Sequence, residues 1–400
     1  MDQLKEPHES EYYKELTLPL LREAQAFLQA YQFPDECDNN NTSYIIYKYR
    51  ETGLGSELAL LSGSFALGLG LNRIVVPDGV PWFARNNFQC NGTGGNGAWL
   101  CYFTNAISGC SPSSNQMPAD CDKVDQCALT GRSIHHHIKD NLMSIHTKLK
   151  RNSHGIPAIF DALISKFYKT WEEKMHWWRA VVITWLTHPN HRFQTHINET
   201  IDKIFPSGVP DLIFLHIRGS DKWGEMKLLQ PASYFTNATE LIQKHDNLRH
   251  LRDFYINTED STVADQLRRE LREGRICYEN STLSSEEKVV CMKNLSGLCD
   301  SFFGVCLDWS YYRIHMLEDS SRIVSGASYN VNSGRGSSYE IMLNSMTSLQ
   351  LSYRFSKIQV ITTKSNWSAI IDWHRRARPH KKIYSIDLSP GIPIWGGDSI

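Results

Sequence analysis

Apolar positions along the chain alternate between helical and extended spacing. Leu16, Leu18, Leu20, Leu21, Ala24, Phe27 and Leu28 predict one helix over residues 10–32. SYIIYKY, residues 43–49, is β-branched or aromatic and alternates, so a strand is predicted. The turn Thr52-Gly53-Leu54-Gly55-Ser56-Glu57 follows, then an apolar helix, then the strand NRIVV. Strand, glycine turn, helix, strand is the unit of a Rossmann-like domain, in which glycines let the backbone approach a phosphate. Most glycine turns merely connect elements, so this one needs support from the rest of the chain.

Residues 86–132 are rich in Gly, Asn, Ser, Pro and Cys and lack periodicity, which predicts a long loop region stapled by disulfides. One or two helices are predicted over 156–187, with Trp171, Trp177, Trp178 and Trp185 as core aromatics. FPSGVP, residues 205–210, marks a domain boundary. Beyond it strands are predicted at 212–215, 252–258, 275–279, 321–326, 357–363 and 381–388. Helices are predicted at 261–273, 284–297, 304–317, 338–348 and 365–377.

Residues 211–222, DLIFLHIRGSDK, organise this second half. The apolar run Leu212 to Leu215 suits a strand buried on both faces of a parallel sheet. It ends in His216, Arg218, Asp221 and Lys222, with Glu225 shortly after. Ligands of open α/β sheets sit outside the carboxyl ends of the strands, so this polar cluster is a candidate site rather than only a solvated turn.

Charge adds one exclusion. Lys and Arg number 42 against 43 Asp and Glu, a formal net charge of −1, which gives no field for nucleic acid or a membrane surface. The ten cysteines fall at 90–127 and 277–306, with Cys37 apart, and no CxxC points to zinc. Pairing is expected within each cluster, because nearby cysteines close short loops. Sequons start at Asn40, Asn41, Asn91, Asn198, Asn237, Asn280, Asn294 and Asn366, and with the even cysteine count they predict an oxidising secretory lumen. The opening MDQLKEPHESEYYKEL is no signal peptide, so any targeting or membrane-anchor segment is expected outside this chain. Glu57 to Val76, interrupted by serines and glycines, reads as a buried helix and strand rather than a membrane span. Asp120-Cys121-Asp122 and His135-His136-His137 superficially suggest metal; a cysteine-bound loop and consecutive histidines argue for structural or surface roles.

HIRGSDKWGEMKLL resembles the HxRRxDK segment of the α1,6-fucosyltransferases, which are related to nodulation and protein O-fucosyltransferases. The resemblance implies a GT-B-like α/β fold, two Rossmann-like domains with a cleft between them. Residues 1–205 would form the acceptor-side domain with helical and disulfide-loop insertions, and 206–365 the GDP-sugar domain. Residues 366–400 would be a C-terminal segment returning to the first domain. It further implies an inverting, metal-independent enzyme of the Golgi lumen, moving fucose from GDP-fucose to a glycan or glycoprotein. Carried to matching positions, His216 and Asp308 would read guanine and Arg218 would bind the β-phosphate. Ser328 and Asn330 would line the phosphates, as would the turn of Gly53 and Gly55. Lys222 would sit beside the catalytic carboxylate, assigned to Glu225.

The chain departs from the family pattern at three places. Arg218-Gly219 replaces paired arginines, Met226 rather than Glu225 falls opposite the animal enzymes' glutamate, and the loop Ser328 to Arg335 is longer. No SH3-like module is recognisable. Transfer to a protein hydroxyl or another sugar position, and a non-catalytic sugar- or nucleotide-binding protein, are the competing readings.

Overall fold

Two parallel sheets organise the computed structural model, which describes residues 11–37, 43–49, 53–70, 72–85, 90, 94–110, 133–135, 156, 158–168, 170–218, 229, 231–258, 312–317, 337–363, 365–377 and 383–389. In the first half, helix α1 (Glu11–Gln32) precedes β1 (Tyr44–Lys48), α2 (Leu54–Gly70) and β2 (Ile74–Asp78). A short α3 (Gly95–Leu100) and β3 (Ser133–His135) follow, then α4 (Ala158–Ile164), α5 (Trp171–Leu186) and α6 (His191–Ile204). The three strands pair in parallel in the order β2-β1-β3. Strand β1 is the first strand and lies in the middle, because both its faces are apolar and buried.

The second half begins at β4 (Leu212–Ile217), followed by α7 (Pro231–Lys244), β5 (Asp253–Thr258) and β6 (Arg313–His315). Helix α8 (Ser338–Arg354), β7 (Ser356–Ile361), α9 (Asn366–Arg376) and β8 (Tyr384–Asp387) complete it. All five strands are parallel, in the order β6-β5-β4-β7-β8. Counted within this half, the order is third, second, first, fourth, fifth, that of a Rossmann sheet. The strand order reverses between β4 and β7, so the switch point lies at their carboxyl ends. Two such parallel α/β units make the architecture GT-B-like.

Side chains of β4 alternate between two cores. Ile213, Leu215 and Ile217 pack with Tyr234, Phe235, Ala238 and Leu241 of α7. Leu212 and Phe214 face the other way, into a core shared with α2, α5, α6, α8 and α9. There the rings of Phe214 and Tyr255 stack at 5.7 Å, and the Tyr255 hydroxyl meets Ser348 Oγ at 2.9 Å. Burial of this continuous apolar surface is the dominant force joining the two halves.

Helix α9 belongs to the second half in sequence yet lies against α2 and α5. Trp373 Nε1 donates to His176 Nδ1 at 3.1 Å, and His374 Nε2 lies 3.0 Å from Thr187 Oγ1. Strand β8 then returns to the edge of the second sheet, so that sheet extends beyond residue 365. Capping defines the helix starts: Thr170 and Glu173 form a reciprocal capping box on α5, and Asn190 Oδ1 accepts from the Phe193 amide on α6.

Two expectations are corrected. The helix expected at 304–317 does not cover its end, where Arg313–His315 forms β6 on the edge of the sheet. Its exposed flank gives an edge strand polar residues and a mixed pattern. Pairing within sequence clusters also fails: Cys90–Cys101 obeys it, but Cys37 bonds Cys110 across 73 residues. The chain after α1 and the segment after α3 are brought together by the first sheet, with the Gly109 amide donating to Gln32 O at 3.0 Å. Spatial closeness, rather than loop length, selects that pair. Helix 261–273 and the strands at 275–279 and 321–326 lie outside the described residues.

Candidate functional site

Strand register builds the site. His216 is paired with Asn257 on β5, and Leu215 with Val360 on β7. Continuing that register sets Ile217 and Arg218 level with Thr362 and Thr363. On the far side Ile361 pairs with Asp387 of β8. One row at the carboxyl edge therefore runs through Asn257, His216, Arg218, Thr362, Thr363 and Asp387.

His216 and Arg218 stand two residues apart and share the face of Phe214, by strand alternation. Both are buried, His216 completely. Burial, reinforced by the nearby positive Arg218 and only partly opposed by the Asn257 backbone, pushes the His216 imidazole down to about 3. It is therefore neutral at physiological pH, with one nitrogen to donate and one to accept. The Asn257 backbone is the one polar neighbour opposing that shift, and it leaves the ring's hydrogen-bonding capacity incompletely used among the described residues. A buried polar group without a partner costs about 1–3 kcal/mol, a penalty that a ligand can remove.

The same deficit recurs along the row. The Thr362 hydroxyl is buried beside the Tyr234 hydroxyl of α7, and Asn257 Nδ2 is buried without a hydrogen-bond partner among the described residues. Tyr234 lies near Thr362 and the Arg218 backbone; burial raises its hydroxyl, against the pull of those two groups. Buried polar groups gathered at one switch point make this edge a candidate polar-ligand site.

The turn after β7 is braced. Thr363 donates to Asp387 through both its amide, at 3.0 Å, and its hydroxyl, and the Ser389 amide donates to Asp387 at 2.9 Å. Ser365 then caps α9 in extended conformation without a side-chain capping bond. The first turn of α9 thus opens at the carboxyl edge of the sheet, where its free amides favour an anion.

The glycine turn of the first half meets this same helix end. Gly55 is buried, and a β-carbon there would lie 2.6 Å from the Trp367 amide nitrogen. Asn366 Nδ2 donates to Ser56 Oγ at 2.7 Å. Two helix N-termini, those of α2 and α9, therefore touch where the halves meet. Gly55 is demanded by this approach; at Gly53 a β-carbon would meet nothing within 4 Å. Glu57, one turn into α2, is buried and accepts from the Tyr47 hydroxyl at 2.5 Å.

Of the residues expected from sequence, His216 and Arg218 share this edge and Gly55 sits at the junction with α9, whereas Gly53 is exposed with open space beside it. Lys222, Glu225, Asp308, Ser328 and Asn330 lie outside the described residues, as does Asp120-Cys121-Asp122. Among the described residues no three His, Cys, Asp or Glu side chains gather as a metal group, and no helix is long and apolar enough to cross a membrane. Sequence reading missed Thr362, Thr363, Ser365, Asp387, Tyr234 and Asn257. The signal available was TTKS between a strand and a helix, a hydroxyl-rich strand-to-helix turn.

No protein-family model matches the chain, and no curated protein matches it. Among solved structures it is similar to a NodZ α-1,6-fucosyltransferase soaked with GDP-fucose, at 10% identity and a TM-score of 0.40, covering 84% of this chain and 93% of that one. A variant of Arabidopsis thaliana FUT1 in complex with GDP matches at 10% identity and a TM-score of 0.41, covering 93% and 80%. The fucosyltransferase NodZ from Bradyrhizobium matches at 12% identity and a TM-score of 0.38, covering 84% and 93%.

Proposed function

We propose that the protein is a glycosyltransferase that moves fucose from GDP-fucose to a glycan acceptor, with inversion and without a metal. The observation that carries this reading is the neutral, buried His216 beside the buried Arg218 at the switch point of a Rossmann-order sheet. The two side chains suit different parts of a nucleoside diphosphate. A neutral imidazole both donates and accepts, which suits a base or ribose edge. A guanidinium forks onto phosphate oxygens and stays charged.

The diphosphate lies, in this reading, between Arg218 and the Thr362-to-Ser365 turn at the start of α9, with Asp308 on guanine and Ser328 and Asn330 along the phosphates. The acceptor hydroxyl attacks C1 of fucose as the bond from C1 to the diphosphate oxygen breaks. GDP departs with that electron pair, and Arg218 stabilises the growing charge. Glu225 takes the hydroxyl proton, with Lys222 beside it. Disulfides Cys37–Cys110 and Cys90–Cys101 support an oxidising compartment, and we assign the enzyme to the secretory pathway, in the Golgi lumen.

The test is a thermal-shift panel of GDP, UDP and ADP, followed by mass spectrometry of a glycan library incubated with GDP-fucose and EDTA. The expected result is stabilisation by GDP above the others and a fucose-sized mass gain. Equal response to all three nucleotides, or no transferred fucose, removes the reading.

A further inference from the structure

Helix α9, whose first turn the proposed function sets beside the diphosphate, is fixed in place by the first half of the chain. Helix α9 starts five residues after β7, at a turn whose own bracing comes from Asp387. Past that turn, the start of α9 rests on α2. Asn366 Nδ2 and Ser56 Oγ, 310 positions apart in sequence, are bonded at 2.7 Å. Gly55 lets the α2 backbone sit against Trp367; a β-carbon would come 2.6 Å from its nitrogen and 2.8 Å from its Cα. Contacts with backbone cannot be relieved by turning a side chain, so the spacing of the two helix ends is set closely.

The rest of α9 is anchored on the same half. Trp373 Nε1 donates to His176 Nδ1 of α5 at 3.1 Å, while within α9 itself Arg376 and Arg375 hold the Asp372 carboxyl below the usual carboxylate range against its burial. Those guanidinia bond Asp372 at 2.5 Å each, and Arg179 of α5 lies 5.3 Å over the Trp373 ring. The body of α9 is therefore held by α5, its first turn by α2, and the preceding turn by β8. Thr362, three residues before the Ser365 cap, is fully buried beside the Tyr234 hydroxyl, and in the first turn of α9 the Ser368 hydroxyl is fully buried without a hydrogen-bond partner among the described residues.

We propose that Gly55, Ser56 and Asn366 are positioning residues for phosphate: the first half sets the place of the α9 N-terminus, and so the affinity for the nucleotide's diphosphate. The proposal rests on the nucleotide reading above. None of the three residues needs to touch the ligand; they act through the backbone amides of the first α9 turn. It also gives the glycine turn a function different from the direct phosphate contact expected from sequence.

The experiment measures GDP and GMP affinity by calorimetry for the wild type, Ser56→Ala, Asn366→Ala, Gly55→Ala and Ser56→Thr. GMP has a single phosphate, so the ratio of GDP to GMP affinity isolates the diphosphate contribution. Loss of one hydrogen bond in Ser56→Ala or Asn366→Ala should lower that ratio about three- to tenfold, and Gly55→Ala should lower it at least as much. Ser56→Thr keeps the hydroxyl and should restore the wild-type ratio. Urea unfolding of each variant shows whether the fold is kept; a purely structural role would weaken GDP and GMP in parallel and leave the ratio unchanged. An unchanged ratio in Ser56→Ala and Asn366→Ala overturns the positioning role while leaving nucleotide binding standing. A wild type that binds neither nucleotide removes the nucleotide reading itself, and this inference with it.

Discussion

Asp387 accepts from Thr363 twice, through the amide at 3.0 Å and through the hydroxyl, and so ties the end of β8 to the turn that follows β7. A carboxylate bonded to a backbone amide and a hydroxyl fixes both the turn's dihedral angles and its side chain, as a helix cap does for a first turn. Removing it in Asp387→Ala leaves the Thr363 and Ser389 amides without this acceptor. The expected loss is about 1.5–3 kcal/mol in urea unfolding, together with weaker GDP binding. Asp387→Asn keeps one accepting oxygen and should fall between the two. A full-strength GDP site in Asp387→Ala would show that the turn does not contribute to it.

His216 gives a pH signature. Its folded-state value, about 3, is below the roughly 6.5 of an unfolded histidine. Between these values the unfolded chain binds the extra proton, so stability is present above pH 6.5 and falls as pH drops through the window. From pH 7 to pH 5 the expected loss from this residue is about 2 kcal/mol. Other histidines add their own slopes, so the measurement is the difference between wild type and His216→Leu in urea unfolding at the two pH values. Identical slopes would mean that His216 is not the neutral buried group described above.

The second sheet was legible where one physical rule dominated. Leu212 to Leu215 has no polar residue, so a strand buried on both faces followed, and the polar residues at its end marked the edge. SYIIYKY, the glycine turn and the apolar α2 were legible for the same reason. What failed depended on tertiary context. Arg313–His315 gains its extended form by pairing with β5, and nothing in its own sequence distinguishes it from the residues predicted as helix with it. Phe193, Ile197 and Ile201 of α6 recur at helical spacing, a signal present but passed over. Cys37–Cys110 required knowing that the first sheet brings these loops together. Thr362 and Asp387 became visible only when strand order placed β7 beside β4 and β8 beside β7.

The sequons at Asn198 and Asn366 should behave oppositely. Asn198 is exposed on α6, and its Oδ1 rather than its nitrogen is engaged, accepting from Gln194 at 2.8 Å. Asn366 uses the nitrogen that a glycan would occupy to bond Ser56, and Trp367 and Ser368 beside it are buried. Protein secreted from a eukaryotic host should carry glycan at Asn198 and none at Asn366. Glycopeptide mapping decides it; an occupied Asn366 in folded, GDP-binding protein would contradict the α2–α9 contact.

Binding and chemistry should separate between Arg218 and Glu225. Arg218 is buried at the sheet edge, where it would meet charge already present on the donor and greater in the transition state. Arg218→Ala should therefore weaken GDP binding and slow transfer together, each by roughly 10- to 100-fold. Arg218→Lys should restore little, because an ammonium cannot make the two-pronged contact. It would also place a strongly hydrated ammonium at a buried position. Glu225 is assigned to the acceptor hydroxyl, so Glu225→Gln keeps the shape and removes the base. Transfer should fall by about 10²–10⁴-fold while GDP affinity stays near wild type. The two variants are measured side by side, with GDP affinity by calorimetry and transfer by mass spectrometry. Normal turnover in Glu225→Gln would move the base to another carboxylate and would be consistent with Met226 being the residue opposite the animal enzymes' glutamate. Unchanged GDP affinity in Arg218→Ala would remove the phosphate role from the β4 edge altogether.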